Sequence, residues 1–304
     1  MNIVKTNISY NSTILEKDLK ELKQIYPFIE ISTIGKSSLK NPLYCIKLGT
    51  GKNKVFYSAS YHANEWITSV ILMKFIEDYC HNLVTNSKIL NKSITDLFNS
   101  TSLYIVPMVN PDGVNLVTKL YPYNSPIYNN FKKISLNYPN IPFPNGWKSN
   151  FNGVDLNLQF PAKWKKAKSI KYNLGYNAPS PRDFVGNKPL SEPEAKTIYN
   201  FTKSHNFSLV IALHTQGKVI YHKFENYNPK NSISLAKTFS QISNYTLEDT
   251  PINSSYAGFK DWFIQEFNKP GFTLELGIGT NPLPISQFNT IYNDILGILI
   301  TGAL

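Results

Sequence analysis

The stretch KVFYSASYHANEWITSVILMKFIEDYC, residues 54–80, joins two hydrophobic patterns of different period. It opens on a β-branched and aromatic run that is typical of a buried strand, and from residue 65 onward its apolar side chains recur at helical spacing. Two titratable side chains, His62 and Glu65, stand where the first pattern ends. The stretch therefore predicts a strand followed directly by a helix, with polar chemistry at the junction between them.

The rest of the chain repeats this alternation of strand-like and helix-like segments. Further strand-like runs are FIEISTIG (28–35), LYCIKLG (43–49), SLYIVPMVN (102–110), LVIALHTQG (209–217) and GFTLELGIG (271–279). Helical spacing also occurs in residues 12–27, with Ser12 as the expected cap, and in 191–203, where Ser191 and Glu194 have capping-box spacing. Strands that alternate with helices predict an α/β/α sandwich, whose mixed central sheet of about eight strands carries helices on both faces.

The chain is long enough for one large domain. Its 304 residues are 42% hydrophobic, and no internal repeat, low-complexity tract or Gly/Ser linker divides them. We therefore expect a single domain over residues 1–304. Residues 119–190 depart from the alternation, because they are rich in Asn, Pro, Tyr and Lys and have little periodicity. They predict a long loop that walls a substrate cleft.

Charge, cysteine content and hydropathy narrow the class of protein. No run reaches the roughly 18 apolar residues of a membrane span, and the first residues lack a secretory signal, so we expect a cytoplasmic protein without a membrane partner. Cys45 and Cys80 predict buried thiols. The net charge of +11 suits an anionic partner, but no nucleic-acid-binding motif accompanies it. The densest basic patch, residues 163–171, is interpreted as a solvated loop, with steering of an acidic substrate as the alternative.

Polar residues terminate several of the strand-like runs. His62 and Glu65 follow one run, His214 ends another, and Glu275 lies within the last. Ligand sites of open α/β sheets collect beyond the carboxyl ends of strands, so these side chains are candidates for one site. Two imidazoles and one carboxylate suit a catalytic zinc ion, which takes three protein ligands and leaves a fourth position for water. We therefore expect one Zn²⁺ per chain, held by His62, Glu65 and His214, with Glu275 as general base.

Each of these residues also has a structural interpretation. An isolated H-x-x-E pattern is common, Glu65 could place a negative charge near a helix N-terminus, and His214 could be a hydrogen-bonded core histidine. Glu275 is harder to explain in this way, because it is flanked by Leu274 and Leu276 in an apolar strand where an unpaired charge is costly.

Six segments, taken in chain order, resemble the landmarks of one enzyme family, the zinc carboxypeptidases of the carboxypeptidase A type. They are SYHANEW, VNPDG, NGWKSN with GVDLN, ALHTQG, SSYAGFKDWF and FTLELG, and they cover nearly the whole chain. The resemblance implies that His62, Glu65 and His214 bind zinc and that Glu275 is the base. It also implies that Tyr256 swings over bound substrate and that Asn157 orients it.

Two positions differ from the pattern that this family resemblance implies. Lys148 stands where family members have an arginine that polarises the scissile carbonyl; it keeps the positive charge but loses the planar fork. Leu158 stands where an arginine clamps the terminal carboxylate of the substrate. A leucine cannot form that charge-assisted pair, so ordinary carboxypeptidase specificity is not expected.

With these differences, the chain looks like the bacterial branch of γ-D-glutamyl-L-diamino acid endopeptidases, which cut peptidoglycan stem peptides before meso-diaminopimelate or lysine. Members of that branch often carry LysM repeats, but no segment here resembles one, so no accessory domain is expected. Arg182 is a candidate anchor for a substrate carboxylate, with a structural salt bridge to Asp183 as the alternative.

Two other functions stay open from the sequence. One is a zinc carboxypeptidase with relaxed selection of the C-terminus. The other, of a different class, is a non-catalytic module that binds wall-derived peptides and keeps zinc for structure. A structural zinc site closes with four protein ligands, and only three are found in the strand-end motifs, which favours an enzyme.

Overall fold

The structure is a computed structural model and describes residues 2–304. Its strands are β1 (Glu30–Lys36), β2 (Pro42–Leu48), β3 (Asn53–Ala59), β4 (Lys88–Ile89), β5 (Lys92–Ser93), β6 (Thr101–Val106), β7 (Leu209–His214), β8 (Val219–Tyr221), β9 (Thr246–Glu248) and β10 (Gly271–Glu275). β4 and β5 form a separate two-stranded hairpin.

Helices lie before, between and after these strands along the chain. They are α1 (Ser12–Ile25), α2 (Ile67–Val84), α3 (Ile94–Ser100), α4 (Pro111–Val117), α5 (Pro126–Ser135), α6 (Trp164–Asn173), α7 (Pro193–Lys203), α8 (Ser232–Ser243), α9 (Phe259–Phe267) and α10 (Phe288–Thr301). Short 3-10 turns occur at Ala63–Glu65, Leu156–Leu158, Ile252–Ser254 and Ile285–Gln287. Across residues 2–304, none of the helices combines the length and hydrophobicity that a bilayer crossing requires.

Eight strands form one mixed sheet in the order β1-β2-β6-β3-β7-β10-β8-β9. The central pairs β6–β3, β3–β7 and β7–β10 are parallel, whereas β1–β2, β2–β6 and β10–β8 are antiparallel. β7 is buried at every residue, as expected for a strand covered on both faces. The carboxyl ends of β3, β7 and β10 therefore meet at the same edge of the sheet.

Side chains that alternate along the central strands divide the core into two layers. Leu209, Ile211 and Leu213 of β7 pack into a cluster with residues of α1, α2, α8 and α10. Val210 and Ala212 of the same strand pack into a second cluster, with α7 and α9. Helices thus cover both faces of the sheet, and the predicted α/β/α sandwich with a sheet of about eight strands is confirmed.

Several local predictions differ from the structure. The cap of α1 is Asn11 and not Ser12, because the Asn11 side chain accepts hydrogen bonds from the N–H groups of Thr13 and Ile14. α7 has no side-chain cap at Glu192, and the Ser191 hydroxyl instead donates to Gln159 and Glu192. Pro193 at the first helical position explains why α7 begins there without a capping box.

The long segment 119–190 is also more ordered than its sequence suggests. It contains α5, α6 and a 3-10 turn, so the predicted long loop is wrong for these parts. The basic patch 163–171 is mostly α6 and not a loop, and Ala167 and Lys171 of this helix are buried. Its apolar residues are few, because one side of the helix faces solvent and lysines fill it.

Candidate functional site

The register of the sheet brings two of the predicted residues together. Glu275 is the last residue of β10 and His214 the last of β7, and the two are direct partners in the parallel ladder. His62 directly precedes the 3-10 turn that leads from β3 into α2, and Glu65 is the last residue of that turn. Because β3 pairs with β7 on the other side, all four residues lie at the same edge of the sheet. Their side chains line one cavity or lie against it.

His62, Glu65 and His214 place three ligand atoms within 4.8 Å of one another. The Nδ1 atoms of His62 and His214 lie 2.9 and 3.0 Å from the two carboxylate oxygens of Glu65, and 3.3 Å from each other. Nε2 of His214 is buried without a hydrogen-bond partner among residues 2–304, so Nδ1 is the ring nitrogen that takes part in the site. Two imidazole nitrogens and a carboxylate that converge in this way are a donor set that fits Zn²⁺.

Asp155 supports this donor set by contacting the ring nitrogen of His62 that does not face Glu65. Its Oδ1 lies 3.1 Å from Nε2 of His62, and the backbone N–H groups of Asn157 and Asp183 donate to its carboxylate. The charges of His62 and Lys148 outweigh burial and hold the pKa of Asp155 well below its usual range. A carboxylate behind a metal-binding histidine fixes the orientation of the ring. Asp155 was not predicted as a site residue, although it lies inside the GVDLN segment, because no local pattern connects it with His62, which is 93 positions away.

Lys148 completes the charged wall of the site. Its Nζ lies 3.1 Å from Oε1 of Glu65, and its backbone N–H donates to the carbonyl oxygen of Pro181, which holds the segment in place. Although burial opposes ionisation, the negative charge of Glu65 raises the pKa of Lys148. The ammonium therefore stays protonated and can face the oxygen of a bound carbonyl group.

Glu275 lies beside these charges and has no hydrogen-bonded cation of its own among the described residues. Burial, together with the negative charge of Glu65, raises the pKa of Glu275, although Lys148 and His62 act in the opposite direction. A carboxyl group with a raised pKa can exchange a proton near neutral pH, which is what a general base that later acts as an acid requires.

The cavity at this edge of the sheet has a volume of about 990 Å³. Asn157, Leu158 and Arg182 contribute to its wall. The Asn157 amide oxygen accepts a hydrogen bond from the N–H of Phe259, so this side chain is held in place by α9. Arg182 is 41% exposed, and its Nε lies 2.7 Å from Asp183. The salt bridge named as the alternative for Arg182 is thus present, within the cavity wall.

Tyr256 is not brought to the metal-binding side chains. It is not part of the cavity wall, its hydroxyl is hydrogen-bonded to Lys166, and the Lys166 ammonium lies 4.2 Å from the centre of its ring. Its φ of +73° places it in the left-handed region, so the chain turns sharply here. The predicted closure of Tyr256 over substrate stays a prediction, and it requires the Lys166 contact to break.

Comparisons with known proteins find a family model and several relatives that match this chain. A family model described as "Zinc carboxypeptidase" matches residues 15–296. The chain is 47% identical over 302 residues to the protein named Gamma-D-glutamyl-L-diamino acid endopeptidase 1 of Lysinibacillus sphaericus, covering 99% of this chain and 74% of that one. It is 41% identical over 292 residues to the protein YqgT of Bacillus subtilis (strain 168), covering 95% and 76%.

A solved structure shows the same fold at lower identity. Bovine thrombin-activatable fibrinolysis inhibitor, in complex with tick carboxypeptidase inhibitor, superimposes with a TM-score of 0.72 and 21% identity. The match covers 98% of this chain and 97% of that one, so the fold is shared over almost the whole length of both chains.

Proposed function

This chain belongs to the zinc carboxypeptidase family, and from that membership we propose that it is a zinc metallopeptidase that hydrolyses γ-D-glutamyl-L-diamino acid bonds of peptidoglycan stem peptides. The relative from Lysinibacillus sphaericus is named for this activity. The observation in the site that carries the proposal is Leu158, which is 5% exposed in the cavity wall beside Asn157. A leucine there offers no charge to a terminal carboxylate, which favours an enzyme that does not select a chain end.

His62, Glu65 and His214 would hold one zinc ion per chain, and Asp155 would orient His62. When bound, zinc supplies a Lewis acid and lowers the pKa of a water molecule toward 7. Glu275 accepts a proton from the attacking water and later delivers it to the leaving nitrogen. The Lys148 ammonium faces the negative charge that develops on the carbonyl oxygen. One water molecule is consumed, and a γ-glutamyl carboxylate and a free amine are formed.

The remaining predicted residues have supporting roles in this proposal. Asn157 and Arg182 lie in the cavity wall, where they can contact the peptide, and Tyr256 would close over it after leaving Lys166. The proposed catalytic domain is the single domain of residues 1–304. A cytoplasmic location stays a prediction, which fractionation of cells and immunoblotting would test.

The substrate proposal is tested by incubating zinc-loaded protein with the tripeptide L-Ala-γ-D-Glu-meso-diaminopimelate and weighing the products by mass spectrometry. We expect the dipeptide L-Ala-D-Glu and free diaminopimelate. A matched tripeptide with ordinary α-peptide bonds between L-residues should stay intact. Cleavage of that second peptide alone would instead support a carboxypeptidase with relaxed terminal selection.

The catalytic role of Glu275 is tested with Glu275→Gln, which keeps the shape of the side chain but removes its basicity. We expect kcat to fall by several powers of ten while the Kd of the tripeptide, measured by calorimetry, changes little. Glu266→Gln on the exposed side of α9 is the matched control and should turn over like the wild type. Unchanged turnover of Glu275→Gln would leave the non-catalytic binding module as the better description.

A further inference from the structure

Arg182 is the only arginine of the chain. The sequence contains 31 lysine and arginine residues, and all the others are lysines. Lysine stands even at position 148, where the family resemblance implies an arginine. A lysine supplies a point charge, whereas the planar guanidinium group of arginine offers paired N–H groups that match both oxygens of a carboxylate. Because Arg182 lies in the wall of the cavity, this single exception to the use of lysine points to a carboxylate ligand.

The salt bridge of Arg182 leaves most of its guanidinium group unused. Its Nε lies 2.7 Å from Oδ2 of Asp183, and within residues 2–304 the side chain makes no other hydrogen bond. The other carboxylate oxygen of Asp183 pairs with the buried ammonium of Lys171, so the charge of Asp183 is shared between two cations. The two terminal nitrogens of Arg182 are therefore free to donate, side by side, to the two oxygens of one carboxylate.

The backbone on both sides of Arg182 is held in place. The carbonyl oxygen of Pro181 accepts hydrogen bonds from the N–H groups of Lys148 and Ser149, at 2.7 and 2.9 Å. The carbonyl oxygen of Arg182 itself accepts a hydrogen bond from the hydroxyl of Ser180. The Arg182 side chain thus starts from a fixed position next to Lys148, which faces the oxygen of the scissile carbonyl group in the proposed mechanism.

The contacts of the site place Arg182 and Glu275 beside different metal-binding side chains. The residue after Arg182 donates its backbone N–H to one oxygen of Asp155, whose other oxygen contacts His62. Glu275 is instead the ladder partner of His214. Because His62 and His214 are the two imidazoles of the site, Arg182 lies on the His62 side of it and Glu275 on the His214 side.

The chemistry of Glu275 assigns the two halves of the substrate to these two sides. Glu275 delivers a proton to the leaving nitrogen, so the leaving residue lies on the side of Glu275. The residue that supplies the scissile carbonyl group then extends toward Arg182. A γ-linked D-glutamyl residue keeps a free α-carboxylate, and its carbon is four bonds, or about 5 Å, from the scissile carbonyl carbon. This distance suits two neighbouring cations, with Lys148 at the carbonyl oxygen and Arg182 at the carboxylate.

We infer that Arg182 binds the free α-carboxylate of the D-glutamyl residue, so that the site selects this residue over its α-amidated form. The two terminal nitrogens donate to the two carboxylate oxygens in a charge-assisted pair. A carboxamide offers one oxygen and one NH₂ group, and the NH₂ group meets a donor of Arg182 where an acceptor is needed. The inference rests on the proposed function and names the residue that recognises the acyl side of the substrate.

The first test compares two tripeptides on the wild-type, zinc-loaded protein. One is L-Ala-γ-D-Glu-meso-diaminopimelate, and the other carries an amide in place of the α-carboxylate of D-Glu. We expect kcat/KM for the free acid to exceed that for the amide by roughly 10- to 100-fold, mostly through KM, because a charge-assisted pair is lost. Similar values for both peptides overturn the inference and leave the proposed function intact, whereas cleavage of neither overturns the proposed function itself.

Variants of Arg182 then show whether this residue causes the preference. Arg182→Met removes the charge, and we expect it to reduce the preference for the free acid to within a few-fold of one. Arg182→Lys keeps the charge without the planar group and should give an intermediate preference. Lys188→Met removes an exposed lysine of the same segment and is the matched control, which should keep the wild-type preference. Either folded Arg182 variant with the full wild-type preference overturns the inference, so the result does not depend on the folding of Arg182→Met alone.

A third tripeptide shows which carboxylate Arg182 binds. It keeps the free α-carboxylate of D-Glu and carries the amide on the α-carboxylate of diaminopimelate. Arg182→Met should lower kcat/KM for this peptide by the same factor as for the free acid, and should change kcat/KM little for the peptide amidated at D-Glu. An effect of Arg182→Met that disappears with the third peptide would place Arg182 at the leaving residue and overturn the inference.

Discussion

At the scale of single residues, Lys148 shows how one substitution changes the electrostatics of a site while keeping its sign. Its ammonium is a point charge beside Glu65, whereas the arginine that the family resemblance implies at this position would offer a planar fork. We expect Lys148→Ala to lower kcat/KM by about 10²- to 10³-fold, because one donor to the developing negative charge is lost. Steady-state kinetics with the diaminopimelate tripeptide measure the change.

Rescue separates this electrostatic role from a purely structural one. Lys148→Arg keeps the positive charge and should recover most of the activity, with kcat affected more than KM. Lys47→Ala removes a lysine of β2 that pairs with Glu30 of β1, at the edge of the sheet and away from the site. It should have no effect on catalysis. A Lys148→Ala enzyme with wild-type kinetics would remove this residue from the mechanism.

Strand ends predicted that four residues of the site lie together, whereas Lys148 and Asn157 were predicted only from the resemblance of their segments. His62, Glu65, His214 and Glu275 each follow or end an apolar run, so the rule for open α/β sheets predicted that they share an edge. Asp155 lies in a segment of low periodicity, and its contact with His62 joins residues 93 positions apart, which no local pattern indicates.

At the scale of elements, α7 is held to the rest of the molecule by a buried carboxyl group. Glu194 accepts hydrogen bonds from the backbone N–H and the hydroxyl of Ser38 and from the amide of Asn150. Burial, with the nearby charge of Asp112, raises the pKa of Glu194 from 4.5 to about 7. The folded protein therefore holds a proton that the unfolded chain releases above pH 4.5.

The sign of the resulting pH dependence follows from linkage. The stabilising contribution of protonated Glu194 is fully present below pH 4.5 and is lost as the pH rises through about 7. Between pH 5 and 7.5 we expect the wild type to lose on the order of 1–3 kcal/mol more unfolding free energy than Glu194→Gln. Urea denaturation at constant zinc concentration measures both, so that contributions of the metal site cancel.

An exposed acid provides the control for this measurement. Glu266→Gln removes a carboxylate that pairs with Lys203 on the surface, and its stability profile should run parallel to that of the wild type. Parallel profiles for wild type and Glu194→Gln would mean that Glu194 is ionised in the folded protein at every pH tested, contrary to the expected direction.

Strands with a continuous apolar run were predictable from the sequence, and the shortest strands were not. β7 carries five consecutive apolar residues, and β3 and β10 each carry three consecutive apolar or β-branched residues. β8 and β9 have three residues each, too few for any periodicity to emerge, and they join the sheet because β10 and Lys218 supply their backbone partners. The sequence did not predict α6, because its lysines face solvent and its few buried residues give no clear apolar spacing.

At the scale of the whole molecule, removal of zinc should separate activity from folding. The core is built from two apolar layers that do not include the candidate metal ligands. We expect dialysis against a chelator to abolish cleavage and to leave the far-ultraviolet circular dichroism unchanged. The Tm should fall by several degrees, because zinc binds the folded chain only.

Reconstitution completes the experiment. Added Zn²⁺ should restore both cleavage and Tm, whereas Mg²⁺ should restore neither, because two of the three ligand atoms are imidazole nitrogens. Loss of helical signal on chelation would show that the metal has a structural task, in contrast to the open catalytic site proposed here.

The in-register pairing of Glu275 with His214 links catalysis to strand alignment. Backbone hydrogen bonds between β7 and β10 fix the distance between the proposed base and the proposed metal ligand, and a slip of one residue would turn either side chain to the opposite face. Any substitution that weakens the pairing in the middle of β7 or β10 would therefore change the distance between Glu275 and His214 before the protein unfolds. A fall in turnover would then reveal a disturbed sheet before a melting curve shows any loss of stability.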